Sequence, residues 1–392
     1  MIIADGDVGQ IMALAVTNVF EYILFEKFEE KNIKHASKQD AMERVLGNLA
    51  LLGGERGDKP HSYIENDGSA WDTCCSSEII RRIETPIFRA VWEHMLELGW
   101  PDFGHEAVHA ATNSKKKLNM LKAGKRGGYS FRFIIESQQR SGRRPTSSSN
   151  WLINFVLELA AFNPSGEGRL HCEGGKTFTD RWGNKRKLAI AKEGDDTANS
   201  VSPRLTKDEE HDLIKFWERA GFNMKMFVRT RVLEFAGWKA PIVNGRVVTD
   251  HAVPDFIRNV HAAAITTSAK ARESSNAWRQ VAWSKYMSYS LALHKLPTVS
   301  RMFRRWAAEL QDISANYALL EKDDIRRLGV DDHDELAALV EQFETPDYER
   351  EEQILTELGI LRSRTYQEFC IDAENQLREA ANDWVGTLSY YE

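Results

Sequence analysis

Apolar and polar positions recur along this chain with two different periods, and the switches between them mark its elements. From Val8 to Phe28 the apolar residues Met12, Val16, Val19, Phe20, Ile23 and Leu24 share one helical face. Asn18, Glu21 and Glu26 interrupt that stretch, which predicts an amphipathic or core helix and a poor membrane span. His61-Ser62-Tyr63-Ile64-Glu65-Asn66 is short and mixed, and reads as a strand ending at Asp67. A helix follows over about residues 77–98. Trp151-Leu152-Ile153-Asn154-Phe155-Val156-Leu157-Glu158-Leu159 has the pattern of a buried helix and continues directly from Ser147-Ser148-Ser149. Leu188-Ala189-Ile190-Ala191-Lys192-Glu193 is strand-like again, and Gly194 supplies the permissive backbone for a tight hairpin turn. Residues 206–227 predict a helix and then a loop. Thr206 through Glu209 is a capping pattern, and Leu213, Phe216, Trp217 and Ala220 fall at core spacing. Past Pro241 the pattern is helical over residues 269–294, 299–310 and 365–383, with Trp278, Trp283 and Trp306 as core candidates.

At 392 residues the chain exceeds one average domain and can bury a large core. A net charge of −6 argues against nucleic-acid binding over the whole surface, so any such binding falls to local clusters. These are Lys115-Lys116-Lys117 with Lys122, Lys125 and Arg126; Arg140 with Arg143 and Arg144; Lys185-Arg186-Lys187; and Arg229 with Arg231. The cysteines Cys74, Cys75, Cys172 and Cys370 show no zinc spacing, and sequence neighbours do not readily bridge each other, so a reduced, intracellular setting is expected. No signal peptide pattern or internal repeat is visible.

Three short runs carry the candidate chemistry: Asp67-Gly68-Ser69-Ala70-Trp71-Asp72, Ser141-Gly142-Arg143-Arg144-Pro145-Thr146-Ser147-Ser148-Ser149-Asn150, and Gly194-Asp195-Asp196. Adjacent acids at a turn repel each other unless a cation lies between them, which points to a metal at Asp195-Asp196. Thr146 and Asn150 are four apart and share a helical face. A fourth run, His105-Glu106-Ala107-Val108-His109, matches a zinc-hydrolase pattern, but no third ligand motif comes after it.

In this order the three runs resemble the palm of viral RNA-dependent RNA polymerases, and among them the flavivirus-, tombusvirus- or nodavirus-like groups of positive-strand RNA viruses. The resemblance is specific over about residues 62–238 and only architectural elsewhere. It implies an α+β fold: a right-hand polymerase with an antiparallel-sheet palm (an RRM- or ferredoxin-like core), partial fingers and a mostly helical thumb. The expected division is partial fingers and palm-supporting helices in 1–60, first palm segment in 61–98, a fingers insertion in 99–128, the remaining palm in 129–240 and the thumb in 241–392.

The implied activity is template-directed transfer of ribonucleoside monophosphates to an RNA 3′-hydroxyl. Asp67, Asp195 and Asp196 would hold two Mg²⁺ or Mn²⁺ ions, which stabilise charge on the attacking and leaving oxygens of such an in-line displacement. Asp72, Ser141, Thr146 and Asn150 would read the ribose 2′-hydroxyl, with Gly142 leaving the preceding loop room beside the template or incoming base pair. Lys225, or failing it Lys215, would protonate the leaving pyrophosphate. Val232 to Trp238 resembles the primer-grip hairpin, with Phe235, Gly237 and Trp238 against the primer; Ala236 stands where family members often have Cys. Arg140 and Arg143 would contact RNA. The expected partners are an RNA template with primer or nascent strand, ribonucleoside triphosphates and other replicase proteins. The expected place is the host-cell cytoplasm, at membrane-associated replication complexes only through parts outside this chain, since no transmembrane segment is expected in it.

A reverse transcriptase shares the palm but usually places an aromatic residue where Asp72 sits and lacks the Ser-Gly-x3-Thr-x3-Asn helix. A palm retained only for RNA binding is disfavoured because every expected acid is present. Met1-Ile2-Ile3-Ala4-Asp5-Gly6 resembles the apolar run that trails the family's triphosphate-binding loop, and no Lys or Arg precedes Lys27. The chain is therefore expected to be a fragment that starts after that loop, with weak or no activity by itself.

Overall fold

The computed structural model describes residues 7–33, 38–52, 61–102, 106–112, 116–122, 129–135, 145–163, 177–263, 274–311, 333–334, 337 and 347–388. They fall into two compact units, Met1–Lys34 with Leu51–Arg229, and His35–Ala50 with Thr230–Glu392.

Helix α1 (Asp7–Lys27) opens the first unit. Ala13, Val16, Phe20 and Leu24 form its buried stripe, whereas Ile23, expected on that face, is 39% exposed. Phe20 meets the ring of Phe88 at 4.9 Å. By length and composition alone Val8–Lys27 is also apolar enough to cross a membrane, despite its two acids. In this fold its stripe is part of the unit's core. Helix α2 (Lys38–Ala50) belongs to the second unit.

Strand β1 (Ser62–Ser69) leads through a left-handed residue, Ala70 (φ 54°), into the one-turn helix α3 (Trp71–Cys74). A continuous helical stretch comes next as α4 (Ser77–Ile79), a π-helical turn (Ile80–Glu84) and α5 (Thr85–Glu97). Helix α6 (Glu106–Thr112) precedes a separate antiparallel pair, β2 (Lys116–Lys122) and β3 (Tyr129–Ile135). After it stands α7 (Thr146–Phe162), buried along most of its length.

The remaining strands complete a five-stranded antiparallel sheet in the order β4 (Phe178–Thr179), β5 (Lys185–Glu193), β6 (Asp196–Ser202), β1, β7 (Asn223–Arg229). Helix α8 (Lys207–Arg219) joins β6 to β7 and starts with the capping box read from the sequence, Thr206 and Glu209 bonding each other's backbone. Ile64, Leu188, Ile190 and Val201 pack with Trp151, Leu152 and Leu213 in one apolar cluster, so α7 and α8 cover one face of the sheet.

In the second unit, β8 (Val232–Phe235) and β9 (Trp238–Val243) form a hairpin, with β10 (Arg246–Val247) and β11 (Val253–Pro254) pairing β9. Helices α9 (Phe256–Ala263), α10 (Ser275–Ala292), α11 (Pro297–Gln311), α12 (Tyr348–Glu357) and α13 (Tyr366–Leu388) complete it. Trp278, Trp283, Tyr286, Phe303 and Leu377 are buried in its core. Trp306 lies against that core and donates its indole N–H to Glu374 at 2.8 Å.

Candidate active site

Side chains alternate across β1, so Ile64 and Asn66 turn toward α7 while Glu65 and Asp67 face the other side of the sheet. The strand runs two residues past Asp67, which is exposed. Gly68 and Trp71 form the corner beyond it. A Cβ on Gly68 would lie 2.7 Å from Cε3 of Trp71, so only glycine leaves room for that indole. Trp71 is buried against Phe222 and Trp217, with ring centroids 4.5 and 6.3 Å away. The left-handed turn at Ala70 and the tucked Trp71 leave Asp72 in the first turn of α3.

Asp195 arrives from elsewhere in the chain. Glu193 and Asp196 are paired, so Gly194-Asp195 is a two-residue hairpin loop. Gly194 has φ +61°, the first-position glycine that such a turn favours. Asp195 is half-buried, and its carboxyl is held above the usual 3.8 by burial first, then by repulsion from Asp72 and Asp67, against a lowering hydrogen bond from its own backbone. The Asp195 carboxyl therefore feels the charges of two acids from other segments. Asp196 is exposed at the start of β6.

The sequence pattern puts Lys225 in a loop after α8. It lies instead inside β7, because Asn223–Arg229 extends the sheet by pairing with β1. In that register Lys225 is the direct neighbour of Asp67, on the same face of the sheet. The other candidate lysine, Lys215, is exposed on α8.

Thr146 and Asn150 lie one turn apart on α7, as their spacing predicts. Asn150 is 9% exposed, and its Oδ1 accepts no hydrogen bond from any described residue. The same face continues into residues that sequence reasoning missed. One turn on, Asn154 donates from Nδ2 to the carbonyl oxygens of Gly194 and Asp195, at 3.2 and 2.9 Å. One turn further, Glu158 accepts from Asn199 at 2.6 Å, and Lys192 lies 3.4 Å away. The available signal was the four-residue repeat Thr146, Asn150, Asn154, Glu158, whose last two members interrupt the apolar run that follows Asn150.

Arg140, Ser141, Gly142 and Arg143 lie outside the described residues, as does His105. Glu106 and His109 are exposed on the short helix α6. One arginine from each of two basic clusters is engaged within the fold. Arg186 is buried between Asp180 (2.5 Å) and Glu209 (2.7 Å), and Arg229 donates to Glu65 at 2.7 Å. Phe235 and Trp238 close the β8–β9 hairpin in the second unit, where Ala236 (φ 49°) and Gly237 (φ 78°) form the turn.

Among the described residues no three His, Cys, Asp or Glu side chains converge closely enough to cage a metal ion. Charge repulsion reaches further than ligation, so this is compatible with the coupling felt by Asp195. The donor set is all carboxylate, with no imidazole or thiolate, which suits a hard divalent cation. Magnesium needs only one or two carboxylates, its other positions being filled by water and substrate phosphate.

No protein-family model matches the sequence, and no curated protein matches it. Solved structures do. The insertion loop deletion mutant of the RNA-dependent RNA polymerase of a human picorbirnavirus superposes with a TM-score of 0.50 at 15% identity, over 91% of this chain and 59% of that one. The fold is similar to that of this solved polymerase. The undeleted human picorbirnavirus polymerase gives a TM-score of 0.49 at 15% identity, over 89% of this chain and 60% of that one. The BmCPV RNA-dependent RNA polymerase at elongation state gives 0.48 at 10% identity, over 79% of this chain and 25% of that one. The chain thus spans about three fifths of the human picorbirnavirus polymerases. At such identities the likeness concerns fold alone, and chemistry rests on the residues of the site.

Proposed function

We propose that this chain carries the palm of a viral RNA-directed RNA polymerase and transfers ribonucleoside monophosphates to an RNA 3′-hydroxyl. The observation that carries the reading is that Asp67 and Asp72 lie near enough to Asp195 for their charges to act on it. The three acids come from a strand, a one-turn helix and a hairpin turn, yet burial and the charges of the first two raise the pKa of Asp195.

Asp67 and Asp195, with Asp196 beside them, are the residues that would hold two Mg²⁺ or Mn²⁺ ions. When bound, such ions supply charge stabilisation for the attacking and leaving oxygens of an in-line displacement. Asp72 and Asn150 read the ribose 2′-hydroxyl in this proposal, a group that Asn150 Oδ1 suits as a buried acceptor with no partner among the described residues. Thr146, Ser141 and Gly142 complete that surface. Lys225, next to Asp67 in the sheet, delivers a proton to the departing pyrophosphate. Phe235, Gly237 and Trp238 grip the primer, and Arg140 and Arg143 hold RNA. The narrower placement among flavivirus-, tombusvirus- or nodavirus-like polymerases rests on the sequence pattern alone. Other replicase proteins would complete the assembly in the host cytoplasm.

The test is primed extension on a homopolymer template by this chain, each nucleotide omitted in turn. Incorporation of the complementary ribonucleotide alone, lost on Asp195→Asn, supports the proposal. Template-independent incorporation, or none, refutes it.

A further inference from the structure

We propose that Asn154, Lys192 and Thr197 form a buried bracket that positions the Gly194-Asp195 turn, with Lys192 dictating which way the Asn154 amide faces. The proposal rests on reading Asp195 as a catalytic carboxylate and names positioning residues that lie outside the acid cluster itself.

The chemistry of the donors fixes the arrangement. An ammonium group only donates, so the Asn154 atom 2.8 Å from Lys192 Nζ must be the carbonyl oxygen Oδ1. The amino group Nδ2 then faces the backbone oxygens of Gly194 (3.2 Å) and Asp195 (2.9 Å), which only accept. A flipped amide would set oxygen against oxygen at the turn and nitrogen against ammonium at Lys192. Amide orientation is often ambiguous; here both neighbours specify it.

Thr197 closes the bracket. Its Oγ1 accepts from Lys192 at 2.7 Å and lies 3.0 and 3.2 Å from the two amide atoms of Asn154. Lys192 and Thr197 are cross-strand partners in the hairpin, so the group ties α7 to both arms of the turn. The third donor of Lys192 reaches Glu158 at 3.4 Å, and Glu158 also accepts from Asn199 and Asn66. All six side chains are buried: Asn66 is 3% exposed, Thr197 2%, Glu158 1%, and the other three 0%.

Energetics alone do not explain a buried lysine–glutamate pair, because apolar residues of similar size often stabilise such a site as well or better. Fixed geometry does explain it. Lys192 orients Asn154, Asn154 grips both carbonyl groups of the turn, and the carboxylate of Asp195 projects from that gripped backbone. A displacement of about 1 Å at a reacting group can cost on the order of a hundred-fold in rate.

The test substitutes Asn154→Ala in the full chain and follows amide hydrogen exchange along the hairpin, Mn²⁺ binding by electron paramagnetic resonance, and single-nucleotide incorporation. Exchange at residues 193–197 should accelerate at least about ten-fold while residues 187–190 of β5 stay protected, the mark of local opening. Mn²⁺ should bind several-fold more weakly, and kcat should fall about ten- to a hundred-fold with nucleotide KM nearly unchanged. If Asn154→Ala does not fold, Thr197→Val opens the bracket from the other side and Thr197→Ser should restore it. Unchanged exchange at residues 193–197 in a folded Asn154→Ala or Thr197→Val protein overturns the proposal. A wild type that shows the exchange pattern but incorporates no nucleotide leaves the bracket standing and removes the polymerase reading instead.

Discussion

At Asp195, burial and the charges of Asp72 and Asp67 act in the same direction, raising the carboxyl above its ordinary 3.8. A raised folded-state pKa means that the native state holds this proton more tightly than the unfolded chain. The associated stability is present below the unfolded value and is lost as pH rises through the folded one. In metal-free protein, Asp195→Asn should therefore melt at a higher temperature than wild type at neutral pH, with the gap closing toward pH 4; Mg²⁺ should stabilise wild type and leave the variant nearly unmoved. Thermal melts with chelator and with Mg²⁺, at several pH values, check this, and a variant less stable than wild type at pH 7 would count against repulsion at the site. Asn150 has a separate signature. Truncating it to Ala should lower the ratio of ribo- to deoxynucleotide incorporation, since a site built to bond a hydroxyl discriminates against its absence; equal ratios in both proteins would remove Asn150 from sugar recognition.

Elements transmit these side chains to one place. The corner from β1 to α3 depends on Gly68, whose missing Cβ is the space occupied by the edge of Trp71. Gly68→Ala should destabilise by about 1–3 kcal/mol, as overpacking does, and should shift Trp71 fluorescence. Denaturant melts with tryptophan emission would show it, and wild-type stability would contradict the 2.7 Å approach. Strand β7 has a parallel role, since its register with β1 decides that Lys225 and not Lys215 neighbours Asp67. Lys225→Leu should slow pre-steady-state incorporation about a hundred-fold and change its pH profile, with nucleotide affinity little altered. Should Lys215→Leu give that result instead, the register argument fails.

At the scale of the whole molecule, one buried histidine titrates in the opposite sense to Asp195. Against the raised Asp195 of the first unit stands His294 in the second, which is 8% exposed. Burial first, then the charge of neighbouring Lys295, lowers its pKa from 6.5 to about 4, opposed by a hydrogen bond to the carbonyl of Leu291 and by Glu43. A depressed histidine is neutral when folded and gains a proton on unfolding, so its contribution is present above pH 6.5 and lost as pH falls toward 4. At about 1.36 kcal/mol per unit, the loss is on the order of 3 kcal/mol. His294→Gln should remove this part of the acid sensitivity, making the variant less dependent on pH between 6.5 and 4 than wild type. Chemical denaturation across that window measures it, and parallel curves for the two proteins would refute the assignment.

Local physics determined much of this protein in the sequence itself. The turn at Gly194-Asp195, the capping box at Thr206 and Glu209, the helical face shared by Thr146 and Asn150, and the buried Trp283 arise from glycine conformation, side-chain capping and helical period. These depend on neighbours a few residues apart. Burial of charge does not. Lys192 reads as a polar position of a strand and Arg186 as part of a basic cluster, yet each is enclosed by side chains that the sequence pattern did not pair with it, Glu158 for one and Asp180 with Glu209 for the other. Asn66 and Glu158 meet across 92 residues. Lys225 became a strand residue because β1 offered it an edge to pair with, overriding the loop that its own sequence suggested. The sequence thus supplied the acids and the turn that presents one of them; tertiary structure decided what holds that turn still, because desolvation and cross-strand register exist only once the sheet and α7 have come together.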